Sequence, residues 1–296
     1  MFDIALSVVS CLRAGTRVDV AWLVEADLGA DVDLTEAVGL TPGGGRFGSL
    51  LGGVLDGPLA DTAVTAGSGR RVNLVVDDLA ATAAGLGRGG AVTCLVVPAD
   101  RLPIELWQRL VDRDPVCLRT VLDGDEVVTV EVTEEPEAHD LLATGRSARL
   151  QRDGEVLTVL SPLPRLVMLG RGPIIDAVEQ VATAVGWKVT RSGQPSQLTL
   201  LAQTLTPRDS VVVMSHDVEE ACAVLGAALE GDAGYVGALG SRRMQQERAT
   251  WLESEGYAGI DRIHGPAGLD IGAATPGEVA VSIVAEAIAA HAQAIA

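Results

Sequence analysis

The 296-residue sequence predicts an α/β protein in two parts: an N-terminal mixed α/β domain, then a Rossmann-like domain with a parallel sheet. Three observations carry that reading. From Arg165 onward, short apolar runs alternate with longer segments of helical period, the pattern of repeated βαβ units. Ahead of that, strand-like runs such as VVTVEV and VLTVL flank Asp-Gly pairs, which mark hairpins. Between the two regions, Ser161-Pro162-Leu163-Pro164 breaks both patterns. The domains are therefore set at residues 1–162 and 163–296.

Bulk properties narrow the function. Hydrophobic residues make up 48% of the chain, enough to fill two cores, although aromatics reach only 3%. The formal charge of −18 repels nucleic acid and anionic lipid, so neither is an expected partner. An anionic ligand would need a local pocket of cations or N–H groups. Cys11, Cys94, Cys117 and Cys222 are scattered without a CxxC pair, which argues against a disulfide framework or a zinc site. Cys94, within AVTCLVV, reads as core. No secretory leader pattern and no long uncharged apolar run is present, so the expectation is a cytoplasmic protein.

In order along the chain, Phe2 to Ala14 has helical period and Arg17 to Val24 reads as a strand. The pattern breaks from Asp31 to Gly39, and Thr41-Pro42-Gly43-Gly44-Gly45-Arg46 is a turn. Strands follow at Arg71–Val76 and Ala91–Val97, with a helix at Leu79–Gly85 between them. A second helix runs from Pro103 to Asp112, with Leu106, Trp107 and Leu110 facing the core. Hairpins turning at Asp123-Gly124 and Asp153-Gly154 close the first half.

The second half opens with a strand at Arg165–Leu169, the turn Gly170-Arg171-Gly172-Pro173, and a helix to Gly186. A strand at Trp187–Thr190 follows. As a dinucleotide fingerprint the turn is damaged. Ile175 replaces the third glycine, Pro173 removes an N–H, and Asp176 puts negative charge in the first helical turn. Arg191 stands where an acid would hold a ribose, and could instead accept a 2′-phosphate. The stretch before Thr206-Pro207 fits either a helix or a strand. Ser210–Met214 is a buried strand ending at Ser215-His216-Asp217, where Asp217 and Glu220 form a capping box. Tyr235 and Val236 lead into Gly237-Ala238-Leu239-Gly240-Ser241-Arg242-Arg243, which opens a helix ending near Gly256. Thr275-Pro276-Gly277-Glu278 is a further capping box that starts the last helix.

In a parallel sheet the carboxyl ends of the strands line the ligand crevice. Gly170, Gly172, Ser215, His216, Gly240 and Ser241 would all reach that edge, and Arg242 and Arg243 add cations beside it. His216 suits proton transfer or hydrogen bonding to a ligand, or else ties down a turn. Gly268 and Asp270 belong to His264–Gly272, a loop of defined shape that either contacts a ligand or is held together by Asp270. The separations of His216, His264 and Asp270 match no metal spacing, so no metal is expected. No nucleophile elbow is present and no residue is assigned a catalytic role.

The blocks VVVMSHD, YVGALGSRR and RIHGPAGLDIGAATPGEVAVSIVAEAIA, in this order and spacing, resemble the C-terminal half of the xanthine dehydrogenase accessory (XdhC/CoxI) family. The first half resembles it weakly. There FGSLLGGVLD keeps Gly52 and Gly53, the end of a Gly43–Gly53 stretch that would wrap a cofactor with backbone groups or form a tight turn between packed strands, but Val54 stands where the family has cysteine. Of the other cysteines, Cys11 could approach that position in the fold. The resemblance implies a carrier of the molybdenum cofactor, of molybdopterin type, which delivers it to an apo molybdenum hydroxylase rather than catalysing a reaction. It also implies a cysteine desulfurase as a further partner, and allows a homodimer. Two other readings remain: an NADP-dependent oxidoreductase using Gly170, Gly172 and Arg191, and a scaffolding protein whose site has decayed.

Overall fold

The computed structural model describes residues 1–29, 32–63 and 67–295. Asp31, where the expected break begins, lies outside them. The chain divides into Met1–Pro162 and Leu163–Ala296. Among the described residues no helix is long and apolar enough to cross a membrane.

The first unit contains strands β1 (Asp19–Ala26), β2 (Ala37–Leu40), β3 (Arg46–Gly48), β4 (Arg70–Val76), β5 (Gly90–Pro98), β6 (Val116–Asp123), β7 (Glu126–Val132), β8 (Ala148–Arg152) and β9 (Glu155–Leu160). They form one sheet in the order β3-β2-β1-β5-β4-β7-β6-β9-β8. Its ladders are antiparallel, as hairpin connections require. The helices are α1 (Ala5–Arg13), α2 (Asp56–Ala63), α3 (Asp78–Ala83), α4 (Ile104–Asp112) and α5 (Pro136–Ala143).

Alternation along β1 divides the core. Val20, Trp22 and Val24 face Val8, Leu106 and Leu110 of α1 and α4, while Ala21 and Leu23 face Leu55, Leu59 and Ala81 on the opposite side. The sheet curls until its far end meets β1. Trp22 Nε1 donates to Thr158 Oγ1 of β9 at 3.3 Å, and Arg149 of β8 donates to the carbonyls of Leu23 and Leu34. Arg149 donates to carbonyls, and burial lowers its pKa to about 9 against the opposing pull of Asp33.

Three local expectations shift. Strand β2 lies where the sequence pattern breaks, because pairing with β1 buries all four residues. Helix α5 has a weak apolar stripe and forms by laying Ala138, Leu141 and Leu142 on Leu157 and Val159. Cys11 packs on the α1–α4 side of the sheet and Val54 on the other, so Cys11 does not stand in for a cysteine at position 54.

The second unit is a three-layer α/β/α domain. Strands β10 (Arg165–Gly170), β11 (Lys188–Ser192), β12 (Ser210–Met214), β13 (Tyr235–Ala238) and β14 (Ile263–His264) pair in the order β11-β10-β12-β13-β14. Every ladder is parallel. Helices α7 (Pro195–Ala202), α8 (Val218–Glu230) and α9 (Arg242–Ser254) cover one face, packing on Val167, Leu169, Val211, Val213 and Val236. Helices α6 (Pro173–Ala184) and α10 (Pro276–Ile295) cover the other, packing on Leu166, Met168, Val212 and Tyr235. Strands β10, β12 and β13 are buried and largely apolar because both faces are covered, whereas the edge strand β11 (KVTRS) is polar and partly exposed. The strand order reverses between β10 and β12, and there the crevice of a doubly wound sheet opens. Gly170 lets the two strands meet: a Cβ on it would lie 2.6 Å from the Met214 carbonyl oxygen.

At the opposite edge, Asp209 is fully buried and accepts from Arg165 N at 2.7 Å, Arg165 Nε at 3.1 Å, Thr206 N at 2.9 Å and Thr206 Oγ1 at 3.0 Å. Nearby, His291 Nε2 lies 3.0 Å from Ser210 Oγ, and its ring packs against Trp187. Burial holds the His291 pKa below its ordinary value, against the opposing pull of Asp209. As pH falls through about 6.5 the unfolded chain takes up this proton before the folded one, so stability drops by up to about 1.4 kcal/mol per pH unit until the folded imidazole also titrates. Urea unfolding from pH 7.5 to 5 should show this loss, and His291→Gln should flatten it. An unchanged slope in that variant would assign the loss to other groups.

Candidate functional site

The carboxyl edge of the parallel sheet gathers most of the predicted residues. Gly170 ends β10 and Gly172 caps α6, both with positive φ. Ser215 and His216 follow β12, while Gly240 and Ser241 follow β13. One side chain missed in the sequence reading joins the last two turns. Arg248 of α9 is only 2% exposed. Its Nη1 donates to the Leu239 carbonyl at 2.7 Å and its Nη2 to the Ser215 carbonyl at 2.7 Å. Its Nε is buried without a partner, and no carboxylate pairs with it among the described residues. Burial lowers its pKa. A cation held this way adds a positive potential that a nearby anion would offset.

Other members of the edge have local tasks. Ser241 caps α9 by accepting from Met244 N at 3.3 Å. Asp217 caps α8 by accepting from Glu220 N at 2.9 Å. The expected reciprocal half of that box is replaced: the Glu220 carboxylate takes the Ser215 hydroxyl at 3.4 Å, and Ser215 Oγ accepts from Asp217 N. His216 is exposed and makes no hydrogen bond, ion pair or ring contact among the described residues. Arg243 is 86% exposed and turned along the helix to Glu247. Arg242 is exposed without an acid partner among the described residues, and so is Arg171, whose guanidinium passes over Gly193. Arg191 donates to the Gly170 carbonyl and pairs with Asp176 and Glu179.

The 264–272 loop meets the β13 turn through Ala267 N, which donates to the Ala238 carbonyl at 3.0 Å. Its anchor is Glu286 of α10 and not Asp270. The Glu286 carboxylate accepts from Tyr235 Oη at 2.6 Å and Gly268 N at 2.7 Å, and lies 3.1 Å from His264 Nδ1. The Tyr235 and His264 rings pack with centroids 4.8 Å apart. The Gly268 N–H is therefore spent inside the protein, and burial with Glu286 raises the Tyr235 pKa. Asp270 is exposed and accepts no hydrogen bond among the described residues. A cavity of about 340 Å³ borders this cluster, lined by Arg262, His264, Glu286 and Gln293 among others. Arg262 there donates to the carbonyls of Leu229 and Ala233, at the end of α8. No group of three or more His, Cys, Asp or Glu among the described residues could hold a metal ion.

In the first unit, Leu51, Gly52 and Gly53 have consecutive positive φ angles of 51°, 65° and 91°. The turn is held by acids: Leu51 N donates to Glu36 at 2.8 Å and Leu50 N to the buried Asp56 at 3.1 Å. Burial raises the Glu36 pKa, while the Leu51 N–H opposes that shift. Gly53 N and Val54 N bond back to Leu50 and Leu51. Most donors of this turn are thus taken, and its neighbours carry negative charge.

Residues 166–287 match the XdhC Rossmann domain family. Among curated proteins, the chain is 30% identical over 145 residues to the uncharacterized protein YqeB of Escherichia coli, covering 42% of this chain and 26% of that one. It is 28% identical over 148 residues to a probable xanthine dehydrogenase subunit from Bacillus subtilis, covering 44% of this chain and 43% of that one. Both matches span less than half of the relative's length. A solved structure described as a xanthine dehydrogenase from Bacillus halodurans superposes at a TM-score of 0.48 with 20% identity, covering 98% of this chain and 96% of that one. The family match falls on the parallel sheet and the helices that flank it, within the second unit of this chain.

Proposed function

We propose that this protein is an accessory factor in the maturation of a molybdenum hydroxylase of the xanthine dehydrogenase type. It binds a molybdopterin-type cofactor at the carboxyl edge of the parallel sheet and passes it to the apo-enzyme. The observation that carries this reading is an XdhC Rossmann domain whose edge holds cations without acid partners in a chain of net charge −18. A cofactor bearing a phosphate fits that edge, because among the described residues Arg248 is buried without an acid partner and Arg171 and Arg242 stand exposed at the rim without one. Bound cofactor supplies the redox chemistry of the recipient enzyme; this chain orients and shields it. Val54 leaves sulfur handling to a partner such as a cysteine desulfurase.

The NADP reading finds less support. Arg191 is engaged by Asp176 and Glu179, and both acids would repel a 2′-phosphate.

Protein purified from cells that make the cofactor should release a fluorescent oxidised pterin on acid treatment. Arg242→Ala and His216→Ala should retain about tenfold less, the scale of one lost charge-assisted hydrogen bond. Absence of pterin from the wild-type protein would overturn the reading. A melting temperature raised by NADPH alone would favour the oxidoreductase instead.

A further inference from the structure

Arg248 does more than fill space between α9 and the sheet. Its two donors fix the carbonyls of Ser215 and Leu239, each at 2.7 Å. In a trans peptide the carbonyl and the next residue's N–H point in opposite directions. Drawing these two carbonyls toward the buried guanidinium therefore turns the N–H groups of His216 and Gly240 away from it. Neither N–H donates to any group among the described residues. Two unspent donors thus stand at the ends of adjacent strands β12 and β13, backed by one buried cation with no counter-charge.

We propose that the N–H groups of His216 and Gly240, oriented by Arg248, form a receptor for a phosphate-type oxyanion. The inference deepens the cofactor reading and rests on it for the edge used. Three features favour it. The guanidinium contributes charge without competing for the ligand's oxygens, because Nη1 and Nη2 are committed to carbonyls. The residue is only 2% exposed and pairs with no carboxylate among the described residues, so its charge is not neutralised by the protein. Acids in the neighbourhood are engaged elsewhere, Asp217 on the α8 N-terminus and Glu220 on Ser215 Oγ. Arg248 is a positioning residue in this scheme, acting through two peptide groups.

The test is an amide NMR titration of the full chain with inorganic phosphate, with sodium chloride matched for ionic strength. Saturable shifts of the His216 and Gly240 resonances are expected. Arg248→Gln should weaken phosphate binding at least tenfold, and Arg248→Lys should recover part of it; a purely structural arginine would give no such recovery. Should Arg248→Gln not fold, the wild-type titration decides alone. Shifts absent from both amides, or confined to Arg242 and Arg243, would overturn the proposal. A second arm uses a pterin phosphate monoester: tighter binding than inorganic phosphate identifies an organic phosphate as the occupant, and equal binding identifies the free ion. Pterin retention without these amide shifts would end the inference and leave the proposed function standing. Phosphate binding at both amides in a protein that carries no pterin would do the reverse.

Discussion

Asp209→Ala is expected to destabilise the second unit by about 3–5 kcal/mol, the usual cost of removing one partner from a buried ion pair. The carboxylate is fully buried and accepts from both the main chain and the guanidinium of Arg165, and from Thr206 N and Oγ1. Alanine leaves these donors without an acceptor where water has little access. The same carboxylate ties the start of β10 to the start of β12, so its loss loosens the pairing at the centre of the sheet. Urea unfolding at pH 7 measures the effect. Asp209→Asn should fall between wild type and alanine, since an amide oxygen still accepts but carries no charge. A loss below about 1 kcal/mol, the value of an exposed pair, would mean that water reaches the site.

Trp22→Ala should cost about 3–5 kcal/mol in the first unit, the range for truncating a large buried aromatic. The indole is completely buried among Val8, Leu106 and Leu118, and its Nε1 reaches Thr158 across the curled sheet. Trp22→Phe separates the two contributions. It keeps most of the apolar volume but gives up the hydrogen bond, so a loss of about 1–3 kcal/mol is expected from the orphaned hydroxyl and the smaller ring. Calorimetry follows the unfolding of this unit. If phenylalanine costs as much as alanine, the link to β9 matters more than the packing.

Where one signal was strong and local, the sequence was legible. The Thr275–Glu278 box forms in both directions: Glu278 N donates to Thr275 Oγ1, and Thr275 N donates to the Glu278 carboxylate. The parallel sheet was readable because its central strands β10 and β12 are apolar runs that alternate with helices. Strand β14 was not, since two residues carry no periodicity and only pairing with β13 defines them. Arg248 escaped for a different reason. Attention falls on the doublet Arg242-Arg243, yet those side chains are exposed, whereas Arg248 lies one helical turn from the buried Leu252. An arginine on the apolar face of a helix was the available clue. The Glu286 contacts were beyond reach, because they join residues 51 and 18 positions apart in the chain.

That separation gives the last helix a second task. A single carboxylate midway along α10 fastens a loop that the chain completed before the helix began. Replacing this residue by glutamine would therefore do its damage upstream, slackening the segment around Gly268. Order in that loop is thus borrowed from the chain that follows it.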